Sequence, residues 1–179
     1  MTSSKCLMDD KRLILGYTSR EHLLIDFDNC SLIQVFKLTM MLISEYPEIG
    51  DCLIVKSSVS SKPYVLEHDD RGIPKIKWLK DNYHLIGDNN IGYNKCCKII
   101  EVLANLGIIN EEYVRIRKFR NDMTLRISSV IQTTNIKQSP NPIIHIHNNK
   151  SSRHDGLINE YLNLLDIGGK IFNTSKFQS

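Results

Sequence analysis

Two acidic residues, Asp26 and Asp28, lie one residue apart at the end of a run of apolar side chains. Alternate side chains of a β-strand share a face, so both carboxylates are expected on one face, with Ile25 and Phe27 directed into a core. Adjacent carboxylates repel each other, and a bound cation relieves that repulsion. Because such oxygen ligands suit Mg²⁺ and Mn²⁺, the pair is a candidate site for either ion. A strand that ends in a polar turn, with Asp28 or Asn29 capping the next helix, is the alternative.

Further polar side chains follow in later predicted strands. Ser57 and Ser58 come directly after the second strand, and His84 lies within the third. Asp122 and Arg126 belong to a later strand-like segment. Phosphoryl transfer needs metal ions held by carboxylates and basic groups that hold a triphosphate, and these residue types meet both needs. Each residue also has a structural explanation on its own, as a buried histidine, a turn residue or an exposed strand cation.

The spacing of apolar residues predicts the elements that hold these side chains. Helical periodicity covers residues 31–45, with Ser31 or Asn29 as the cap, and residues 94–106, with Asn94 as the cap. The first strand, the first helix and the second strand have the lengths of a βαβ unit, so the two strands are expected to be parallel neighbours. Core strands are predicted over residues 21–28, 52–57 and 82–87.

The segments outside that unit are predicted to be strands and loops. Residues 58–80 form a long loop that contains a hairpin of 64–67 against 75–79. Residues 113–119 and 124–130 are both strand-like and are joined by a short hairpin turn. The polar, proline-containing composition after Ile131 then separates an α/β (α+β) domain over 1–131 from a C-terminal region over 132–179. That region is expected to hold a linker, an edge strand at 143–147 and a short amphipathic helix at 157–165.

Composition and charge narrow the class of protein. The chain has 179 residues, of which 41% are apolar and 24% charged, as in an ordinary globular domain. No apolar run approaches the length of a membrane span, and residues 1–11 lack the apolar core of a signal peptide. We therefore expect a cytoplasmic protein without a membrane partner. The cysteines, odd in number and without C-x-x-C spacing, are expected to be reduced: Cys6, Cys30, Cys52, Cys96 and Cys97.

Positive charge is concentrated even though the net charge is only +3. Clustered Lys and Arg side chains are typical of phosphate contacts, while a solvated basic face is the alternative. The candidate nucleic-acid contacts are Arg115, Arg117, Lys118 and Arg120.

The order of these motifs resembles that of the archaeo-eukaryotic primase superfamily, which includes replicative primases and the primase-polymerases of plasmids and viruses. The first motif is residues 24–28, the second is Ser57-Ser58 with residues 83–86, and the third is Asp122 with residues 124–128. The resemblance implies a primase-polymerase-like core, an RRM-like mixed sheet with flanking helices.

The resemblance also implies roles for individual residues. Asp26, Asp28 and Asp122 would hold the metal ions, and His84 would contact the nucleotide. The candidates near the triphosphate would be Ser57, Ser58, Arg126 and Ser128. The implied activity is template-directed nucleotidyl transfer with two Mg²⁺ or Mn²⁺ ions, in the replication of a mobile element. Nucleoside triphosphates, a single-stranded DNA template and an accessory replication subunit would be its partners.

Three other functions fit parts of the sequence. His145 and His147 have the His-x-His pattern of HUH-type nickases, in which a tyrosine, here Tyr161, attacks a phosphate. A winged helix would use the helix at 94–106 and the two basic strands after it. An RRM-like sheet without catalytic activity would bind nucleic acid by stacking bases on aromatic side chains. The available aromatic residues are Tyr64, Trp78, Tyr83, Tyr93 and Tyr113.

Overall fold

The computed structural model describes residues 3–9, 12–57, 64–127, 130–131, 136–137, 141–148 and 156–174, with side chains over 16–57, 64–127, 141–148 and 156–166. Helices and antiparallel sheets are both present, so the prediction of an α+β fold is confirmed. The elements in chain order are β1 (Ser3–Asp9), β2 (Arg12–Ser19), β3 (Leu24–Ser31), α1 (Leu32–Glu45), β4 (Cys52–Lys56), β5 (Tyr64–His68), β6 (Pro74–Trp78), β7 (Lys80–Gly87), α2 (Tyr93–Asn105), α3 (Glu111–Arg120), β8 (Met123–Arg126), β9 (Val130–Ile131), β10 (Ile136–Lys137), β11 (Asn141–Ile146) and α4 (Leu157–Thr174).

A four-stranded antiparallel sheet in the order β11-β4-β7-β3 forms the centre of the fold. β3 and β4, joined through α1, run parallel to each other, but β7 lies between them and pairs antiparallel with both. The predictions of parallel neighbours and of a mixed sheet are therefore wrong, because every strand pair in the described part of the chain is antiparallel. Strand lengths alone do not reveal that a later segment inserts between the two strands of a βαβ unit.

Helix α1 begins where the sequence predicts. Ser31 Oγ accepts the backbone N–H of Gln34 at 3.3 Å, and Gln34 Oε1 accepts the backbone N–H of Ser31 at 2.8 Å. This capping box satisfies two backbone donors at the start of the helix. Asn29, the other predicted cap, has a positive φ of 55° within a register irregularity of β3 between Phe27 and Cys30.

Helix α2 matches its predicted range but not its predicted cap. The helix follows Gly92, so Asn94 lies inside it rather than at its cap position. Its C-terminal end is close to Gly107, whose positive φ of 68° suits a helix stop.

Helix α3 replaces the strand predicted over 113–119. Asn110 Oδ1 accepts the backbone N–H of Glu112 at 2.8 Å, and Asn121 ends the helix in the left-handed conformation. Acidic side chains in the first turn and basic side chains in the last turn complement the helix dipole. The hairpin turn predicted at 120–123 is therefore a helix end, and the first basic strand of the winged-helix alternative is not formed.

The remaining strands form smaller sheets. β1, β2 and β8 make a second antiparallel sheet. β5 and β6 form the predicted hairpin, in which every residue is exposed and the rings of Tyr64 and Trp78 lie 5.6 Å apart.

Segments after residue 131 are part of the same core. β11 pairs with β4 at the edge of the central sheet, as the sequence predicts for residues 143–147. On α4, Leu157 and Tyr161 are buried in the same apolar cluster as Ile25. None of the described helices is long and apolar enough to cross a membrane. The cysteines whose side chains are described are all free thiols: Cys30, Cys52, Cys96 and Cys97.

Candidate functional site

The first two sequence motifs meet where β3 pairs with β7. Asp26 and His84 are register partners on these adjacent strands, and Val55 of β4 flanks His84 on its other side. Because directly paired residues of antiparallel strands point to the same face, Asp26 and His84 face each other. The distance from His84 Nε2 to Asp26 Oδ1 is 3.7 Å. The histidine side chain is 3% exposed and the carboxylate 37%, so the pair opens to solvent on the side of Asp26.

His84 is a neutral imidazole in this setting. Burial lowers the pKa of His84 to about 3, and the nearby positive charge of Arg126 lowers it further. Nδ1 of His84 has no hydrogen-bond partner within the described structure. A neutral imidazole next to a carboxylate can accept a hydrogen bond from a ligand or donate one to it. It does not neutralise the charge of the acid.

The third motif reaches this place through Arg126. Its guanidinium donates a hydrogen bond to the backbone carbonyl of Ser57, the buried residue directly after β4. Burial lowers the pKa of Arg126, while Tyr161 and Asp26 are close enough to oppose that effect. We call Asp26, Ser57, His84 and Arg126 the β3–β7 cluster. Its members come from all three motifs of the sequence, so the structure brings these four predicted site residues together.

Asp28 lies beside the cluster in a less regular part of the strand. It is exposed and falls within the register irregularity between Phe27 and Cys30. The alternation that predicts a shared face for Asp26 and Asp28 ends at that irregularity. Both acids nevertheless present carboxylates that solvent reaches.

Asp122 has other partners. It is 5% exposed, and its Oδ1 accepts a hydrogen bond from Thr124 Oγ1 at 2.9 Å. The same oxygen lies 3.5 Å from Nη1 of Arg117, whose guanidinium stacks over the ring of Tyr113 at 5.2 Å. Asp122 therefore helps to fix α3 against the start of β8.

The three carboxylates predicted as metal ligands do not form one ready cluster. Among the side chains that the structure describes, the group of metal-ligating residues with atoms within 4.8 Å of one another is Asp51, His145 and His147, and it includes none of the three. Convergence of Asp26, Asp28 and Asp122 within a few ångströms, the expected geometry, is thus not found. Ser58 and Ser128 lie outside the described residues.

Most of the predicted nucleic-acid contacts are engaged within the protein. Arg117 is buried against Asp122, and Arg115 pairs with Glu112 at 2.5 Å. Lys118 pairs with Glu101, while Arg120 is exposed. The cluster of positive charge that the sequence shows is therefore largely balanced by acidic neighbours.

Asp51, which the sequence did not single out, contacts His145 of β11 and His147, which lies just after that strand. Oδ2 of Asp51 lies 3.1 Å from His147 Nδ1 and 3.5 Å from His145 Nε2. The His-x-His spacing is visible in the sequence, but nothing local to Asp51 indicates that it lies across the sheet edge from residues 145–147.

Tyr161, the nucleophile of the nickase alternative, is not presented to a substrate. It is fully buried, and its ring packs edge to face against Tyr17 with centroids 5.5 Å apart. Burial raises the pKa of Tyr161, an effect that Arg126 opposes and Asp26 reinforces. The hydroxyl thus faces the interior near the β3–β7 cluster, which disfavours a role in attacking a nucleic-acid phosphate.

A surface pocket lies away from these residues, at the start of α2. It shares no residue with the β3–β7 cluster, so the cavity does not mark the candidate site. Its lining residues are Ile91, Gly92, Tyr93, Asn94, Lys95 and Lys98.

The aromatic residues of the binding-module alternative are mostly unavailable for base stacking. Tyr83 is fully buried. The hydroxyls of Tyr93 and Tyr113 donate to the backbone carbonyls of Arg117 and Leu24 at 3.0 Å and 2.7 Å. Of the five, Tyr64 and Trp78 on the hairpin are exposed.

Comparison with known proteins adds no relative. No protein-family model, curated protein or solved structure matches the chain. The resemblance to the primase superfamily therefore depends on the short sequence motifs alone.

Proposed function

We propose that this chain is a metal-dependent nucleotidyltransferase of the primase-polymerase type. Support comes from one observation: Asp26 of the first motif, His84 and Ser57 of the second and Arg126 of the third form one cluster on adjacent elements. If these short motifs resembled the family only by chance, there would be no reason for residues of all three motifs to lie at one place.

In the proposed reaction, a hydroxyl of the growing strand attacks the α-phosphate of a nucleoside triphosphate. The new P–O bond forms as the bond from the α-phosphorus to the oxygen that it shares with the β-phosphate breaks, the proton of the hydroxyl passes to water, and pyrophosphate leaves. Bound Mg²⁺ or Mn²⁺ would supply charge neutralisation and orient the phosphates. Asp26 and Asp28 would hold the ions, since both carboxylates are accessible to solvent. Asp122 is not assigned to the ions, because its carboxylate is held by Thr124 and Arg117.

The basic and neutral groups of the cluster have separate tasks in this proposal. Arg126 supplies positive charge for the triphosphate from a fixed position beside Ser57. His84, neutral at physiological pH, would act as a hydrogen-bonding group rather than as a cation, and because its side chain is only 3% exposed it would meet the nucleotide where the pair opens to solvent beside Asp26. The incoming nucleotide would be selected by a single-stranded DNA template.

Nucleotide incorporation tests the proposal. The purified chain would receive a primed single-stranded DNA template, labelled nucleoside triphosphates and Mg²⁺ or Mn²⁺, beside Asp26→Asn and Asp28→Asn variants. Asp70→Asn, in the exposed hairpin turn, is the matched control. We expect a metal-dependent product that both site variants lose and the control retains. Template binding that needs no metal, with no product under any condition, would instead identify a nucleic-acid-binding module and overturn the proposal.

A further inference from the structure

We propose that Asp51, His145 and His147 form a binding site for one divalent transition-metal ion, such as Zn²⁺. The site is separate from the β3–β7 cluster and does not depend on the proposed nucleotidyl transfer.

The pairing of β11 with β4 creates the site. Ile146 pairs with Cys52, so Asp51, just before β4, lies opposite the residues after Ile146. His145 lies on β11 and His147 directly follows its last residue, and the 4.2 Å between their ring centroids shows that the two imidazoles lie on the same side of the chain. Three ligating side chains from two distant segments therefore meet at one corner of the central sheet.

The distances suit a metal ion. Zn²⁺ bonds imidazole nitrogen and carboxylate oxygen at about 2.0–2.1 Å, and tetrahedral geometry then separates neighbouring ligand atoms by about 3.3 Å. The distances from Asp51 Oδ2 to His147 Nδ1 and His145 Nε2 are 3.1 Å and 3.5 Å. An ion can thus be accommodated with small side-chain adjustments.

Neighbouring hydrogen bonds orient the carboxylate. Asp51 Oδ1 accepts the backbone N–H of Asn148 at 2.7 Å, which directs Oδ2 to the histidines. The side-chain amide of Asn148 in turn donates to the carbonyl of Pro47 at 2.9 Å. Metal ligands are commonly held by such outer hydrogen bonds, which fix the orientation of the ligating atom.

The exposure of the site and the types of its ligands narrow the choice of ion. The side chains of His147, His145 and Asp51 are 78%, 38% and 16% exposed, so an ion can enter from solvent and water can complete its coordination. Two imidazoles and one carboxylate favour Zn²⁺ and its neighbours in the first transition row over Mg²⁺. The bound ion would tie the edge strand β11 to the start of β4.

Metal titration of the tag-free, chelator-treated chain tests the site. Co²⁺ would be followed by its visible absorption and Zn²⁺ by calorimetry, with thermal unfolding measured with and without Zn²⁺. We expect one ion per chain and a rise in the unfolding temperature. His147→Ala, His145→Ala and Asp51→Asn are each expected to weaken binding by about 10-fold or more. His68→Ala, on the exposed hairpin, is the matched control.

Two results would overturn the site. One is the absence of stoichiometric binding, which would leave the three residues as a carboxylate that is hydrogen-bonded to His147 and lies beside His145. The other is binding that His147→Ala leaves unchanged, or that His68→Ala weakens equally. Because His147 is the most exposed of the three, its replacement is not expected to unfold the protein, and circular dichroism checks this.

Discussion

His84 faces Asp26 across two paired strands at 3.7 Å, yet the pKa of the histidine is lowered rather than raised. A carboxylate this close favours an imidazolium, so the loss of hydration in the sheet outweighs it, and Arg126 acts in the same direction as burial. The two residues are therefore a neutral imidazole beside an acid, not an ion pair.

The lowered pKa of His84 predicts an acid-sensitive fold. An unfolded histidine gains its proton near pH 6.5, whereas the folded one remains neutral down to about pH 3. Protons thus bind preferentially to the unfolded chain between these values, and stability is lost as the pH falls through this window. His84 changes the free energy of unfolding by at most about 1.4 kcal/mol per pH unit. Urea unfolding at pH 7, 6 and 5 should show a smaller pH dependence for His84→Gln. The prediction would be contradicted if the free energy of unfolding depended on pH equally in the two proteins.

Arg126 is predicted to act through the shape of its guanidinium as well as its charge. Arg126→Lys keeps the charge but removes the planar group that bonds the Ser57 carbonyl and would hold the triphosphate. A hydrogen bond to a charged group contributes about 1.5–3 kcal/mol, so incorporation should fall about 10- to 100-fold. Steady-state incorporation kinetics measure this, and Arg71→Lys on the exposed hairpin turn is the control. Equal rates for Arg126→Lys and the unaltered chain would remove Arg126 from the proposed site.

Local sequence signals predicted much of the fold. Ser31 and Gln34 start α1 through interactions within one turn, and apolar runs correctly place β3, β4 and β7. Helix α3 was missed because its basic and apolar residues alternate as in a strand, although Asn110 before Glu111 and Glu112 was a visible cap signal.

Long-range pairing is the part that the sequence could not provide. The insertion of β7 between β3 and β4 brings His84 to Asp26, and no pattern near either residue specifies that register. The same is true of Asp51, whose meeting with His145 depends on β11 pairing at the sheet edge. The candidate residues could thus be recognised from their amino-acid types, whereas the residues that they contact were found only in the structure.

The buried pair of Arg117 and Asp122 is predicted to stabilise α3 against β8. Arg117→Met would remove the cation that lies 3.5 Å from the buried carboxylate of Asp122, which costs about 3 kcal/mol. The double variant Arg117→Met, Asp122→Asn removes both charges and should be more stable than the sum of the single effects indicates. Urea unfolding of the four proteins measures this difference. Additive losses would show that the two side chains do not interact.

Asp26 and Asp122 are predicted to have different roles, Asp26 in activity and Asp122 in stability, although the sequence assigns both to the metal ions. Asp26 lies partly exposed beside His84, whereas Asp122 is buried against Thr124 and Arg117. Asp122→Asn should therefore lower the free energy of unfolding, by about 3 kcal/mol at most, because Arg117 loses its counter-charge. Asp26→Asn should abolish incorporation with a smaller loss of stability. Both variants would be assayed at a temperature where circular dichroism shows them folded. If folded Asp122→Asn is as inactive as Asp26→Asn, Asp122 must leave Arg117 and reach the ions during the reaction, and the arrangement described would be a resting state of the site.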